Sequence, residues 1–410
     1  MTEPVRPSTS TSPPGRAQPV VTVPLQTTAG SFIHALFRRL TRNRGGHASA
    51  ILTLYVLSVA IGYLPLLIAA LAGPLPVLPR PGEHRLPFLL DFTVLYALLV
   101  SFPCLVILLA TDEDVLTRSL QRVQSDGAMS ISAEHAAKLA ADWKKRFRQL
   151  NLVGGALGVI VGVAVAYFNY WVYTRPGVGY WIADADGHLL LVGVLYLYCM
   201  FLLYGVIAMF VARNISIALL LRDIVAHSEL HMIPMHPDKA GGLRPVGRMG
   251  LRNQYAITLF GVNVLLLVIV YPIFLTLKPA VIAIMASGVI AYLILGPVVF
   301  MTPLLPFRGK MHTSKTELMS EIAWRMRDEL NRIRKAVPEG VISKEDEELV
   351  ERLRKIGTLI EDLPVWPFDV GTLRRFLTAY IIPIIIPIGA AAYAVVSAAA
   401  PAFAQLISWH

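Results

Sequence analysis

"NLVGGALGVIVGVAVAYFNYWVY", from Asn151 to Tyr173, runs for 23 residues without a charged side chain. As an α-helix rising about 1.5 Å per residue, a stretch of this length crosses a hydrocarbon core roughly 30 Å thick. Gly154, Gly158, Gly162 and Ala166 recur at four-residue spacing, giving the helix one face of small residues that a second helix can approach closely. Tyr167, Phe168, Tyr170, Trp171 and Tyr173 close the run with an aromatic belt of the kind found at a membrane interface. Six more apolar runs lie at about 50–72, 87–110, 189–211, 255–277, 279–303 and 377–400.

Composition agrees. The 410 residues are 55% hydrophobic and 16% charged, with a mean hydropathy of +0.59, which excludes an ordinary soluble domain. Cys104 and Cys199 both fall within apolar runs and read as small buried hydrophobes rather than a disulfide or redox pair. None of the 37 Lys and Arg lies inside a run; alternate connecting segments hold 33 of them and the other set holds 4. Basic residues collect on the cytoplasmic side of a bilayer. The expectation is therefore an all-α, polytopic helical membrane protein of about seven transmembrane helices, N-terminus cytoplasmic and C-terminus outside. The expected location is a plasma membrane, and the Ala, Leu, Val and Arg usage suggests a bacterial inner membrane.

Residues 1–30 are rich in Pro, Ser and Thr without helical period and read as a disordered tail rather than a signal peptide. Residues 31–305 hold six helices and two cytoplasmic loops, 111–150 and 212–254. The first loop contains a helix from about Ser132, with Leu139, Trp143, Phe147 and Leu150 on one face. Residues 306–376 form a cytoplasmic helical hairpin. Ser314-Lys-Thr-Glu317 has the form of a capping box, and Met319, Ile322, Met326, Leu330, Ile333 and Val337 follow at steps of three and four. After Pro338 and Gly340, Leu349, Leu353, Ile356, Ile360 and Leu363 make a heptad-like seam. Residues 377–410 are a seventh helix, transmembrane or re-entrant, because Pro383 and Pro387 kink it.

The stretch "HSELHMIPMHPDKAGGLRP", His227–Pro245, concentrates the side chains that carry chemistry. Its tripeptide His236-Pro237-Asp238 resembles the signature of J-domain co-chaperones, but the resemblance covers only His236–Lys239 and the flanking helices of that module are missing. His227 and His231 share a helix face at four-residue spacing, and His236 with Asp238 would complete a nitrogen and oxygen set suited to a divalent transition metal. The competing reading is a turn, with Pro237 fixing φ, Asp238 accepting backbone N–H bonds and Gly241-Gly242 taking positive φ. Arg244, Arg248 and Arg252 then form a basic face toward anionic headgroups or an acidic partner. Asp91 is the charged group within the apolar runs, an interfacial cap or part of an outer pore vestibule.

These features favour an oligomeric channel-like or transport assembly, associating through the third run or the 312–363 hairpin, with the hairpin as gate or assembly element. The alternative is a non-conducting scaffold or signalling component that recruits cytoplasmic partners. A metal-dependent membrane enzyme is a third reading and rests only on the histidines. The spans contain no Ser-His-Asp order, acidic pair or cysteine nucleophile, and no nucleic-acid partner is expected.

Overall fold

A computed structural model describes residues 31–43, 46–73, 86–184, 186–233, 236–275, 278–336, 344–383 and 385. The proposed N-terminal tail, and the seventh apolar run beyond 385, lie outside them. Six helices are long and apolar enough to cross a membrane. The first is formed by α2 (His47–Gly62) and α3 (Leu64–Ala72), which meet at Tyr63 ahead of Pro65. The second is formed by α4 (Phe92–Tyr96), a π-helical turn (Ala97–Ser101) and α5 (Phe102–Ala110). The others are α7 (Ala133–Tyr173), α8 (Leu191–Ala226), α9 (Arg244–Phe274) and α10 (Pro279–Met301). The remaining helices are α1 (Phe32–Asn43), α6 (Asp112–Ser125), α11 (Leu305–Ala336), α12 (Lys344–Glu361) and α13 (residues 370–383). Antiparallel strands β1 (Met129–Ser130) and β2 (Glu229–Leu230) are the small remainder.

The glycine face of α7 packs on α8. A Cβ at Gly158 would stand 2.8 Å from the Gly205 carbonyl oxygen, one at Gly162 2.6 Å from that of Phe201, and one at Gly154 3.3 Å from Ala212 Cβ. Backbones meet there with no side chain between them, which is how helices gain van der Waals contact where lipid removes the hydrophobic drive. The small-residue face is thus occupied by the chain's own next helix. Outside the apolar segment the pair continues, with Trp143 Nε1 and Arg146 Nη1 both 3.2 Å from Asp223 Oδ2.

Prolines within the helices follow one rule. A proline lacks the N–H that would bond the carbonyl four residues earlier, and no water reaches the bilayer core to replace it. The carbonyl freed by Pro103 is that of Leu99, and Tyr55 OH donates to it at 2.7 Å. Pro297 frees Leu293, which accepts from Tyr380 OH at 2.8 Å. Pro303 frees Val299, which accepts from Asn214 Nδ2 at 2.9 Å. Pro383 frees Ala379, reached by Thr258 Oγ1 at 3.3 Å. Pro272 in α9 has no such donor among the described residues.

Helices α11 and α12 pack antiparallel, since Lys315 Nζ donates to the carbonyls of Glu361 and Leu363 while Arg332 pairs with Asp346 at 2.6 Å. Two sequence expectations change. Helix α11 begins at Leu305, so Ser314–Glu317 lies inside it; nothing after Pro306 interrupts the helix. The heptad seam is used in part: Leu353, Ile360 and Leu363 are buried and Leu349 half-buried, whereas Ile356 is 44% exposed, and Leu330 of the α11 stripe is 51% exposed. Gly357 faces Ile322 across the contact, which centres the seam on 353, 357 and 360 and turns Ile356 outward.

Removing the Tyr55 hydroxyl leaves the Leu99 carbonyl unsatisfied, at a cost of about 1–3 kcal/mol. Tyr55→Phe is expected to destabilise the protein by that amount, and much less in a Pro103→Ala background, where a backbone N–H is restored. Unfolding of the four proteins in detergent, compared as a double-mutant cycle, checks this; equal losses in both backgrounds would contradict it.

Candidate functional site

Helices α7 and α8 form one tight pair and α9 and α10 another, and the two pairs touch each other little. Between them, backed by α4 and the π turn, lies a cavity of about 530 Å³. Leu157, Val161 and Val211 wall one part of it, and Phe260, Val264 and Leu267 another. Its polar lining residues are Thr93, Asn169, Tyr173, Tyr196, Tyr204, Asn263, Tyr271 and Ser287, and of these Tyr173, Tyr196 and Tyr271 gather at the end carrying the 174–190 loop. Most are bonded to one another or to backbone. Tyr196 OH donates to Asn169 Oδ1 at 2.9 Å, Tyr173 OH to Tyr271 OH at 3.1 Å, and Asn263 Nδ2 to the Thr93 carbonyl at 2.8 Å. Thr93 Oγ1 is different: the residue lines the cavity and is 5% exposed, but this oxygen is itself buried and finds no hydrogen-bond partner among the described residues. No lining residue among those described is charged.

Asp91 closes this end. It is fully buried and caps α4 by accepting from Val94 N at 3.2 Å. Tyr180 OH at 2.6 Å and Trp181 Nε1 at 2.9 Å reach it from the 174–190 loop. The stacked rings of Tyr173 and Tyr180, 4.1 Å apart, continue the plug toward the cavity wall. Asp91 therefore holds the loop against the bundle, and does not itself line the cavity. Sequence reasoning missed Tyr180 and Trp181, because neither lies in a span and nothing local marks them as partners of a residue about ninety positions earlier.

At the opposite end, charges are buried together. The first turn of α6 presents Asp112 and Glu113, where the helix N-terminus favours anions. Arg252 Nη1 lies 2.9 Å from Asp112 Oδ1, and its Nη2 donates to the Leu108 carbonyl and to Thr111 Oγ1. Arg213, 7% exposed, places Nε 3.6 Å from Asp112 Oδ2 and donates from Nη1 to Asn151 Oδ1. Arg38 of α1 pairs with Glu113 at 2.7 Å. This cluster joins α1, α6, α7, α8 and α9. Its signal in the sequence was Arg213, a cation within α8 whose apolar pattern resumes through Leu221.

Residues 236–243 fold as a capped turn leading into α9. His227 Nδ1 donates to the Asp223 carbonyl at 2.8 Å, His231 lies 3.7 Å from Glu229, and His236 Nδ1 lies 2.7 Å from Asp238 Oδ1. The three histidines thus turn to three different partners and do not form a common ligand set. Among the described residues, the group whose ligand atoms converge is instead Asp184, Asp186 and His188, exposed in the 174–190 loop. Asp238 accepts from the backbone N–H of Ala240, Gly242 and Arg244. Lys239, Gly241 and Gly242 all take positive φ, and a Cβ at Gly242 would stand 2.6 Å from Ala128 Cβ. Burial opposes ionisation of Asp238, but the three N–H donors and His236 outweigh it and hold its carboxyl below the ordinary value.

The expected basic face of Arg244, Arg248 and Arg252 is divided. Arg252 turns inward to Asp112 and Arg244 pairs with Asp369 at 3.4 Å, leaving Arg248 exposed. Thr372 and Arg244 hold the Asp369 carboxyl below its usual range. Opposite charges from distant segments account for the division. Comparison of the chain with known protein families, with curated proteins and with solved structures yields no match.

Asp112→Ala strands two cations, one of them deeply buried, and is expected to cost about 3–5 kcal/mol, read as lost unfolding stability in detergent. Asp238 has a depressed folded pKa, so its bonds contribute stability above the ordinary carboxyl pKa of about 3.9 and lose it as pH falls through the folded value. Hydrogen exchange at the Ala240 and Gly242 amides is expected to lose protection in that acid window, and to be unprotected at all pH in Asp238→Ala.

Proposed function

We propose that this integral membrane protein is a transporter whose cavity between the two helix pairs takes up a neutral amphiphile from the bilayer. The observation that carries the reading is an apolar cavity large enough for a small-molecule ligand, with the buried, unpaired Thr93 hydroxyl within its wall. A buried donor without a partner costs free energy, which a ligand oxygen recovers once the hydroxyl rotates to meet it. The uncharged lining favours a neutral cargo over an ion, because a permeant ion needs charges, dipoles or water along its path. Helices α7 and α10 both line the cavity and make little contact with each other, so a lateral entry between them would give a lipid-soluble molecule a route to it. The distribution of Lys and Arg supports an orientation with the α6, α11 and α12 end in the cytoplasm of a plasma membrane.

A second reading, a scaffold that recruits partners, is favoured by one observation. The α11–α12 hairpin leaves Trp324 60% exposed, along with Leu330, Ile356 and Leu359. Trp is the residue type that protein interfaces most often use as a buried anchor, so an exposed one on a charged hairpin suits contact with another protein.

The test uses purified full-length protein in liposomes and a fluorescent long-chain alcohol as probe. Wild type is expected to bind it and speed its movement between leaflets. Thr93→Val is expected to weaken binding by about tenfold, the size of one lost hydrogen bond, and Ala291→Trp, which fills the cavity, to abolish it. Binding and movement no different from empty liposomes, or unchanged in both variants, would reject the transporter and leave the scaffold.

A further inference from the structure

Arginines at the α6 end of the bundle differ in how they are paired. Arg38, Arg146, Arg213, Arg244 and Arg252 each lie against a carboxylate from another element. Arg118, Arg122 and Arg248 pair with no carboxylate among the described residues, and all three are exposed. Those three line one surface pocket of about 660 Å³ between α6 and the first turns of α9, together with Ser119, Ser125 and Pro245. Its described lining contains no acidic residue.

The chain builds this concentration of charge deliberately enough to be informative. Arg118 and Arg122 are one helical turn apart on α6, so both guanidinium groups emerge on the same face. Arg118 Nε donates to the Asp114 carbonyl at 3.0 Å, which anchors the side chain and leaves its terminal nitrogens for a ligand. Arg248 comes from α9, one turn before Arg252, whose pairing with Asp112 fixes the two helices side by side. Ser119 and Ser125 spend their hydroxyl hydrogens on the carbonyls of Val115 and Arg122, so toward a ligand their oxygens only accept. Three like charges repel unless an anion lies among them, and planar guanidinium forks match the oxygens of a phosphate.

We infer that Arg118, Arg122 and Arg248 form a binding site for a phosphate-bearing anion. Helix α6 starts two residues beyond the end of α5, and Arg248 lies in the second turn of a membrane-crossing helix, so the pocket sits at the bilayer boundary. A lipid headgroup and a soluble phosphate compound both reach that depth, and the same forks serve either. The inference does not depend on the cavity between the helix pairs or on its cargo.

The experiment compares the full-length protein with the triple variant Arg118→Gln, Arg122→Gln, Arg248→Gln. A second variant, Arg327→Gln, Arg334→Gln, Lys335→Gln on α11, loses the same number of charges elsewhere. Native mass spectrometry after reconstitution in phosphatidylcholine with phosphatidylglycerol reads retained anionic lipid, and titration with pyrophosphate in detergent reads a soluble ligand. The pocket variant is expected to lose about tenfold or more in one arm while the α11 variant keeps it, with binding that weakens as salt rises. Loss in the lipid arm identifies a headgroup site; loss in the pyrophosphate arm alone identifies a soluble ligand. Should the triple variant fail to fold, Arg248→Lys keeps the charge but not the fork and is expected to show a partial loss. Equal binding by wild type, pocket variant and α11 variant in both arms, or no binding in either, overturns the inference.

Discussion

Inside a bilayer a backbone carbonyl that loses its helical partner has no water to turn to. The apolar helices of this protein contain several prolines, and each would leave such a carbonyl behind. For four of them the structure answers with side chains from neighbouring helices: Tyr55 for Leu99, Asn214 for Val299, Tyr380 for Leu293 and Thr258 for Ala379. These bonds decide which helices must be adjacent. They place α2 beside α5, α8 beside the end of α10, and α13 against both α9 and α10. The bends the prolines introduce then become fixed features of the bundle rather than weak points.

A second constraint works at the charged end. Burying a carboxylate is tolerable only with cations and hydrogen bonds around it, and Asp112 has Arg213, Arg252 and the N-terminus of α6. Arg38 extends the cluster to α1 through Glu113. At the other end Asp91 serves a similar purpose with neutral donors, Tyr180 and Trp181. The cavity lies between these two anchored ends, where the helix pairs separate. Tight packing above and below keeps it from collapsing, and the π turn at Ala97–Ser101 gives the second span an irregular backbone beside it.

Much of this architecture was legible in the sequence, because length and apolarity alone specify a membrane-crossing helix. The glycine face of the third run was also legible, although its partner was not: four-residue spacing says that a helix packs there, not whose. The arginines show the limit more sharply. Arg244, Arg248 and Arg252 have the spacing of one helical face, yet Asp112 and Asp369, more than a hundred positions away, draw two of them inward. The histidines of 227–236 turn to three separate partners, Asp223, Glu229 and Asp238. The cavity could not be read at all, since its walls come from five helices and none carries a local signature. Thr93 is an ordinary threonine until the structure shows it unpaired.

The proline-freed carbonyls also differ in when their donors are made. Tyr55 and Asn214 precede Leu99 and Val299 along the chain, so a nascent polypeptide already contains the group each carbonyl needs. Ala379 likewise finds Thr258 waiting. Leu293 is the reverse case, because its donor is Tyr380, 87 residues downstream. During synthesis α10 therefore enters the bilayer with an open carbonyl, and it is completed only when the ribosome has passed the start of α13. A chain truncated before Tyr380 leaves that span unfinished however well the other helices have assembled.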